Sequence, residues 1–215
     1  KEIPVALGHK QALVVRKEDA EDTHGSDGFG GRYETYKQNA STRPYHPNSV
    51  QLLKETLIES KEPVVLFPIG PLTNIASLLS AYPELKSKIR CISLMGGAFA
   101  HGNRSSAAEF NILSDPEAAQ IVYESGVPIV MSGLDITDQA SLSQTELERI
   151  LEIGKADSKL LYDIFGLYAS HDRNLHDPIA IMAITDPELF EFVDVHVDVE
   201  TGGHFAVGAT IPDFR

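Results

Sequence analysis

The sequence predicts an α/β fold: an open, mainly parallel sheet with helices on both faces. Three observations lead there. The runs Val64–Phe67, Ile89–Met95 and Pro128–Met131 are short and nearly continuous in apolar character, as strands buried on both faces are. Segments with helical spacing separate them, and this repeated alternation of strand and helix calls for crossover connections within a parallel sheet. Polar residues then collect just past the strand ends, above all after Met95, and open α/β sheets bind their ligands at that edge.

Taken in order, two short extended pieces, Val5–Leu7 and Ala12–Val15, open the chain. Residues 20–31 form a glycine-rich polar loop too long and unpatterned to be a simple connection, and loops of that kind are often functional. Residues 32–47 read as irregular. Val50, Leu53, Leu57 and Ile58 then recur at helical spacing within Pro47–Ser60. The first buried run turns at Ile69-Gly70-Pro71 into a helix over Leu72–Ser80.

The second run ends on Gly96-Gly97, a pair that stops a strand and lets backbone approach a ligand. Asn103, Glu109 and Asn111 follow, and then Asp115 caps a helix whose first residue is Pro116 and which Gly126 stops. Leu134-Asp135-Ile136-Thr137, after the third run, reads as structural. Residues 143–170 hold two helical patterns broken at Gly154, with Leu147, Ile150, Leu151, Leu160, Leu161, Ile164 and Phe165 as an apolar stripe of the kind that builds a core. Asp177 caps a further helix, Ile179–Ile184, with Pro178 as its first residue, and capping by itself accounts for Asp177. Finally Val195, Val197 and Val199 alternate with His196, Asp198 and Glu200 in a half-exposed strand, which Thr201–His204 turn into Phe205–Ile211 as a hairpin.

Composition narrows the partners. A length of 215 residues suits a single α/β domain, and a net charge of −13 argues against nucleic-acid phosphates or an anionic membrane surface, both of which reward clustered Lys and Arg. A small neutral molecule suits that charge better. Cys91, the single cysteine, sits inside an apolar run, so no internal disulfide forms and a buried reduced thiol in the cytoplasm is expected. No apolar run approaches the roughly 18 residues of a spanning helix, and no signal peptide heads the chain. It opens on Lys1 without methionine and stops just after a strand-like piece, so residues 1–215 read as an incomplete part of a longer domain.

Several ordered motifs together resemble the inosine-uridine preferring nucleoside hydrolases: Met-Gly-Gly-Ala at 95–98, Gly-Asn at 102–103, Ala-Glu-Phe-Asn followed by Asp-Pro-Glu-Ala-Ala, Gly-Pro-Leu-Thr-Asn-Ile-Ala at 70–76 and Leu-His-Asp-Pro at 175–178. His24-Gly25 with Asp27-Gly28 is similar to that family's loop at the base end of the pocket, although His24 alone reads as a solvated loop histidine. The resemblance implies a Rossmann-like core, calcium-dependent hydrolysis of ribonucleosides to ribose and base in nucleoside salvage, and a homodimer or homotetramer. It assigns Asp177 and the Ile69 backbone carbonyl to calcium, Met95, Asn103, Glu109 and Asn111 to the substrate's ribose, and His176 and His24 to the leaving base. Purine or pyrimidine preference stays open, with the two histidines leaning toward a pyrimidine-active or broad enzyme.

The residue types suit such chemistry. Cleaving a ribosyl C–N bond passes through an oxocarbenium-like state, which needs a held sugar, an activated water and a proton for the departing base. Amides hold hydroxyls without charge repulsion, hard oxygen donors suit calcium, and an imidazole titrates near neutrality. The departures are an Asp-rich strand-end loop, which in the family carries most of the calcium carboxylates and the water-activating aspartate, and the C-terminal helical segment. Asp19–Asp22 follows no strand of that kind, and Val207-Gly208 stands where the family has Arg-Gly. A nucleoside- or sugar-binding protein of the same fold, without hydrolysis, is therefore the competing expectation.

Overall fold

The computed structural model describes residues 3–14, 20–39, 45–168 and 172–215. Val15 and Asp19, which belong to two of the segments discussed above, lie outside them. Along the chain come α1 (Glu21–His24), α2 (Tyr33–Tyr36), α3 (Ser49–Glu59), β1 (Val64–Leu66), α4 (Thr73–Ala81), β2 (Ile89–Met95), α5 (Phe110–Ser114) and α6 (Pro116–Tyr123). β3 (Ile129–Ser132), α7 (Leu134–Thr137), α8 (Gln144–Glu152), α9 (Ala156–Tyr168), α10 (Asp177–Thr185), β4 (His196–Val199) and β5 (Thr210–Asp213) complete it. They divide between two compact units: one of Lys1–Lys17, Tyr45–Thr137 and His176–Arg215, the other of Glu18–Pro44 and Asp138–Leu175.

In the first unit the three apolar runs form one parallel sheet in the order β1-β2-β3, as their composition predicts. β2 is its centre, paired along Ile92↔Ile129 to Met95↔Ser132 on one side and with β1 on the other. Because side chains alternate along a strand, β2 presents different residues to its two faces. Ile92 and Leu94 join the main core with Leu78 and Leu79 of α4 and Ala118 and Val122 of α6. On the opposite face Met95 clusters with Ala98, Leu134 and Ala180 of α10, and the Ser93 hydroxyl donates to the Ala180 carbonyl at 2.6 Å. Helices therefore cover both faces of the central strand, and Cys91 is buried as a free thiol.

Local chemistry sets the helix ends. Asn48 caps α3, its side chain accepting from the Gln51 amide at 3.0 Å. Leu57 is buried, but Ile58, read as part of the same stripe, is 54% exposed, since α3 packs along a narrow line. Asp115 is fully buried. One of its oxygens accepts from Ala118 N at 3.1 Å and caps α6, and the other accepts from Leu13 N at 3.0 Å and from the Thr73 hydroxyl. It thus ties α6, α4 and the opening segment together. That segment is less regular than predicted: Ala6 bridges to His46, while residues 12–14 form no strand.

The C-terminal hairpin exists but with a shifted second strand. β4 and β5 pair antiparallel from His196↔Asp213 to Val199↔Thr210 as a sheet of their own, so residues 205–208 are turn rather than strand. Gly208, at φ 80, closes that turn and gives β5 its late start.

The second unit corrects two expectations. Residues 32–47 are not wholly irregular, since α2 and a 3-10 turn over Lys37–Asn39 lie there. In the 20–31 loop, which starts with α1, the Asp27 carboxylate gathers the amides of Phe29, Gly31 and Tyr33 at 2.8–3.1 Å, which holds its carboxyl below the usual range. The apolar stripe over α8 and α9 is only a thin core: Leu147 is buried, whereas Leu151 and Leu161 are 40% and 45% exposed. Ser143 starts α8 with a reciprocal capping box to Glu146. The Tyr36 hydroxyl donates to Asp163 at 2.6 Å, and Lys159 pairs with the same carboxylate at 2.8 Å.

Removing the buried Asp115 carboxylate leaves three donors without their acceptor, so Asp115→Ala should lower unfolding free energy by about 3–5 kcal/mol. Loss of the exposed Ser143 cap in Ser143→Ala should cost about 1 kcal/mol. Urea unfolding followed by circular dichroism ranks the two, and equal losses would show that Asp115 does not join these segments.

Candidate active site

The site is built where β2 ends. Gly97 follows with φ 81, and a Cβ there would lie 2.7 Å from the Met131 Cε and 2.9 Å from the Thr210 Cγ2. Only glycine meets both the left-handed backbone and that space. Gly102 is equally confined, since a Cβ would come within 2.3 Å of the Ser105 and Ala108 carbonyl oxygens. The chain therefore leaves the sheet, makes a tight loop and returns at Glu109.

Glu109 fastens the return. Its side chain is 2% exposed; one oxygen accepts from Asn111 N at 2.8 Å, the other from Gly97 N at 2.9 Å and Ile112 N at 3.2 Å. The carboxylate thus caps α5 and latches the loop to the end of β2 at once. Burial raises its pKa above the ordinary carboxylate value, and the three amides and the nearby His176 only partly oppose that rise. Asn111, in the first turn of α5, donates its Nδ2 to the Met95 carbonyl at 3.1 Å, and its Nδ2 lies 3.4 Å from the Met95 sulfur. Asn103 is exposed at the loop tip, where its Oδ1 accepts from Phe110 N at 2.9 Å.

His176 and Asp177 arrive on α10. The helix begins at Asp177, with His176 in the capping position and making no side-chain cap bond, so Asp177 is the first helical residue rather than the N-cap expected locally. The His176 Nδ1 lies 2.8 Å from the Thr137 hydroxyl, and its ring acts electrostatically on Glu109. Met95, Glu109, Asn111 and His176 are thus gathered at one end of the sheet, with Asp177 next in chain to His176. Ile69 lies 49% exposed in the turn after β1, and His24 closes α1 in the second unit.

Sequence reasoning passed over a set of supports. Asp135 accepts from Phe99 N at 2.7 Å and from Ala100 N at 3.0 Å, while the Thr210 hydroxyl donates to the Ala98 carbonyl at 2.7 Å and accepts from Ala98 N at 2.9 Å. Leu134 N donates to the Gly97 carbonyl at 3.0 Å. Asp135 and Thr137 follow the third buried strand, so the strand-end rule that singled out Gly96-Gly97 applied to them too.

Among the described residues no group of three or more His, Cys, Asp or Glu side chains is placed to hold a metal ion. Asp177 and the Ile69 carbonyl give three oxygens at most, whereas calcium takes roughly six to eight. By themselves these residues do not make a calcium site.

The fold and the candidate site define an open α/β protein with amides, a buried carboxylate and an imidazole collected at the carboxyl edge of its parallel sheet. A family model described as inosine-uridine preferring nucleoside hydrolase matches residues 1–215. The chain belongs to that family, a class of metal-dependent N-glycosidases. It is 39% identical over 222 residues to the pyrimidine-specific ribonucleoside hydrolase RihA of Escherichia coli O81 (strain ED1a), spanning 99% of this chain and 70% of that protein. The RihA of Salmonella typhi is similar to the same degree and extent. Among solved structures, a purine-preferring ribonucleoside hydrolase from Gardnerella vaginalis matches with a TM-score of 0.86 and 31% identity, covering 99% of this chain and 70% of that one.

The buried Glu109 makes a pH-dependent prediction. Its raised pKa means the native state holds this proton to higher pH than the unfolded chain, whose Glu titrates near 4.5. Above that value the unfolded state binds fewer protons, so this group's contribution to stability falls as pH rises through the window up to the native pKa. Glu109→Gln removes that slope, whereas Glu109→Ala strands three amides and should cost about 3 kcal/mol or more at any pH. Urea titrations across pH 4–8 measure both, and an identical pH slope in wild type and Glu109→Gln would contradict the raised pKa.

Proposed function

We propose that this chain hydrolyses the N-glycosidic bond of ribonucleosides, pyrimidine nucleosides foremost, giving ribose and free base in cytoplasmic nucleoside salvage, as a calcium-dependent homo-oligomer. The observation that carries the reading is the meeting of Met95, Glu109 and Asn111 with His176 at one strand end, in a chain of this family. The preference for pyrimidines is supported by the similarity to enzymes named pyrimidine-specific.

In this reading Asn103, Asn111 and Glu109 hold the ribose hydroxyls, and Met95 packs against the sugar. Their geometry is fixed before substrate arrives, because Glu109 is held by three backbone amides and Asn111 by the Met95 carbonyl. Preset contacts spare the transition state the cost of ordering them. His176 gives a proton to the departing base as the C–N bond breaks, so that the base leaves without full negative charge. Asp177 and the Ile69 carbonyl would contribute to the shell of a calcium ion, which supplies electrostatic stabilisation when further oxygens complete it. The water-activating carboxylate is not assigned.

Ribose release from uridine and inosine tests the proposal in the full protein with calcium present. His176→Ala should lower kcat on uridine by roughly 10² to 10⁴. Asn111→Ala should raise KM as well as lower kcat, since it removes a sugar contact and unfastens Met95. Binding of uridine by calorimetry with no ribose release from either nucleoside would instead identify a non-hydrolytic binder.

A further inference from the structure

Thr137 is fully buried at the end of α7, and its hydroxyl lies 2.8 Å from the Nδ1 of His176, far along the chain. A buried hydroxyl on a ring nitrogen does more than fill space, because it fixes both the plane of the imidazole and the direction in which Nε2 points. From these contacts we infer that Thr137 is a positioning residue for the proton transfer, aiming the Nε2 of His176 at the leaving base. The inference rests on the role given to His176 above.

Thr137 is itself anchored. Its backbone amide donates to the Gly133 carbonyl at 3.1 Å, the next residue, Leu134, donates to the Gly97 carbonyl at 3.0 Å, and Gly97 donates to Glu109 at 2.9 Å. Gly133 sits so close to Gly97 that an added Cβ would come within 2.7 Å of its carbonyl oxygen. The support under the imidazole and the loop that carries the sugar contacts are therefore one hydrogen-bonded frame. The distance from proton donor to ribose is set by α7 rather than by α10 alone.

A hydroxyl also suits a donor that must give up its proton. It accepts from Nδ1–H while the ring carries both protons and still does so once Nε2 has given its proton away, so the ring stays bonded and aimed through the transfer. A carboxylate in the same place would also accept from Nδ1–H, but its charge would stabilise the doubly protonated ring and hold the proton back.

The test separates aim from folding by changing the leaving group. Thr137→Val keeps shape and loses the hydroxyl, Thr137→Ser keeps the hydroxyl, and Thr137→Ala serves should the valine variant not fold. Each is assayed in the full protein on uridine and on p-nitrophenyl β-D-ribofuranoside, whose phenolate departs without a proton. Thr137→Val or Thr137→Ala should lower kcat on uridine about tenfold while kcat on the nitrophenyl riboside falls less than about twofold, with KM little changed and Thr137→Ser close to wild type. Equal losses on the two substrates, or no loss on uridine, would overturn the inference. His176→Ala must show the same split on a larger scale. If it does not, the role of His176 in the proposed function fails first; if it does while the Thr137 variants show none, only the positioning role fails.

Discussion

The structure depends on a carboxylate kept out of water. Glu109 sits almost wholly buried, and burial alone disfavours its charge; three backbone amides, from Gly97, Asn111 and Ile112, converge on its two oxygens and offset part of that cost. One donor belongs to the strand end and two to the first turn of α5, so the bonds can form together only if the intervening loop folds back on itself. The buried charge therefore specifies the loop's closed form. With an apolar residue at 109 the same amides would seek water, and the loop would open.

The loop is then pinned by side chains reaching its backbone from elsewhere. Asp135 takes the amides of Phe99 and Ala100, Thr210 brackets both polar groups of Ala98, and Asn103 takes Phe110 N. Loops that leave buried backbone groups unpaired are unstable, and this one pairs its amides both with acceptors from β5 and α7 and, around Ser105 and Ala108, with its own residues. That arrangement leaves Asn111 and His176 to be oriented by specific side-chain contacts, among them those on the Met95 carbonyl and the Thr137 hydroxyl.

The sequence makes the sheet legible and hides these supports. β1, β2 and β3 stand out because strands buried on both faces need unbroken apolar runs, and Cys91–Met95 can be read in no other way next to Gly96-Gly97. α5 and α7 are single turns of mixed polarity, too short for any periodicity to show. Thr210 escapes notice because its partners are backbone groups distant in the chain, for which no spacing rule exists, whereas Asp135 stands in a segment read as structural and its support of the loop fits that reading. The stripe over α8 and α9 errs in the other direction: its spacing is helical, yet Leu151 and Leu161 stay largely exposed, because periodicity tells which residues share a face and not how much packs against it. The late start of β5 follows from Gly208 and from a turn whose Phe205 is 86% exposed, features that alternation alone does not register.

Asp177 shows how local and functional readings of one residue are separated by geometry. From sequence, an aspartate before proline at the head of an apolar helix is fully explained as a cap. In the structure the helix already includes Asp177, and His176 takes the capping position without a side-chain cap bond. An aspartate one residue too late to cap keeps a carboxylate at the positive end of α10, where a negative charge is stabilised by the helix itself. Its neighbour His176 meets the Thr137 hydroxyl. Shifting the helix start by a single residue thus places the aspartate in the first helical turn and the histidine in the capping position, where its ring meets α7.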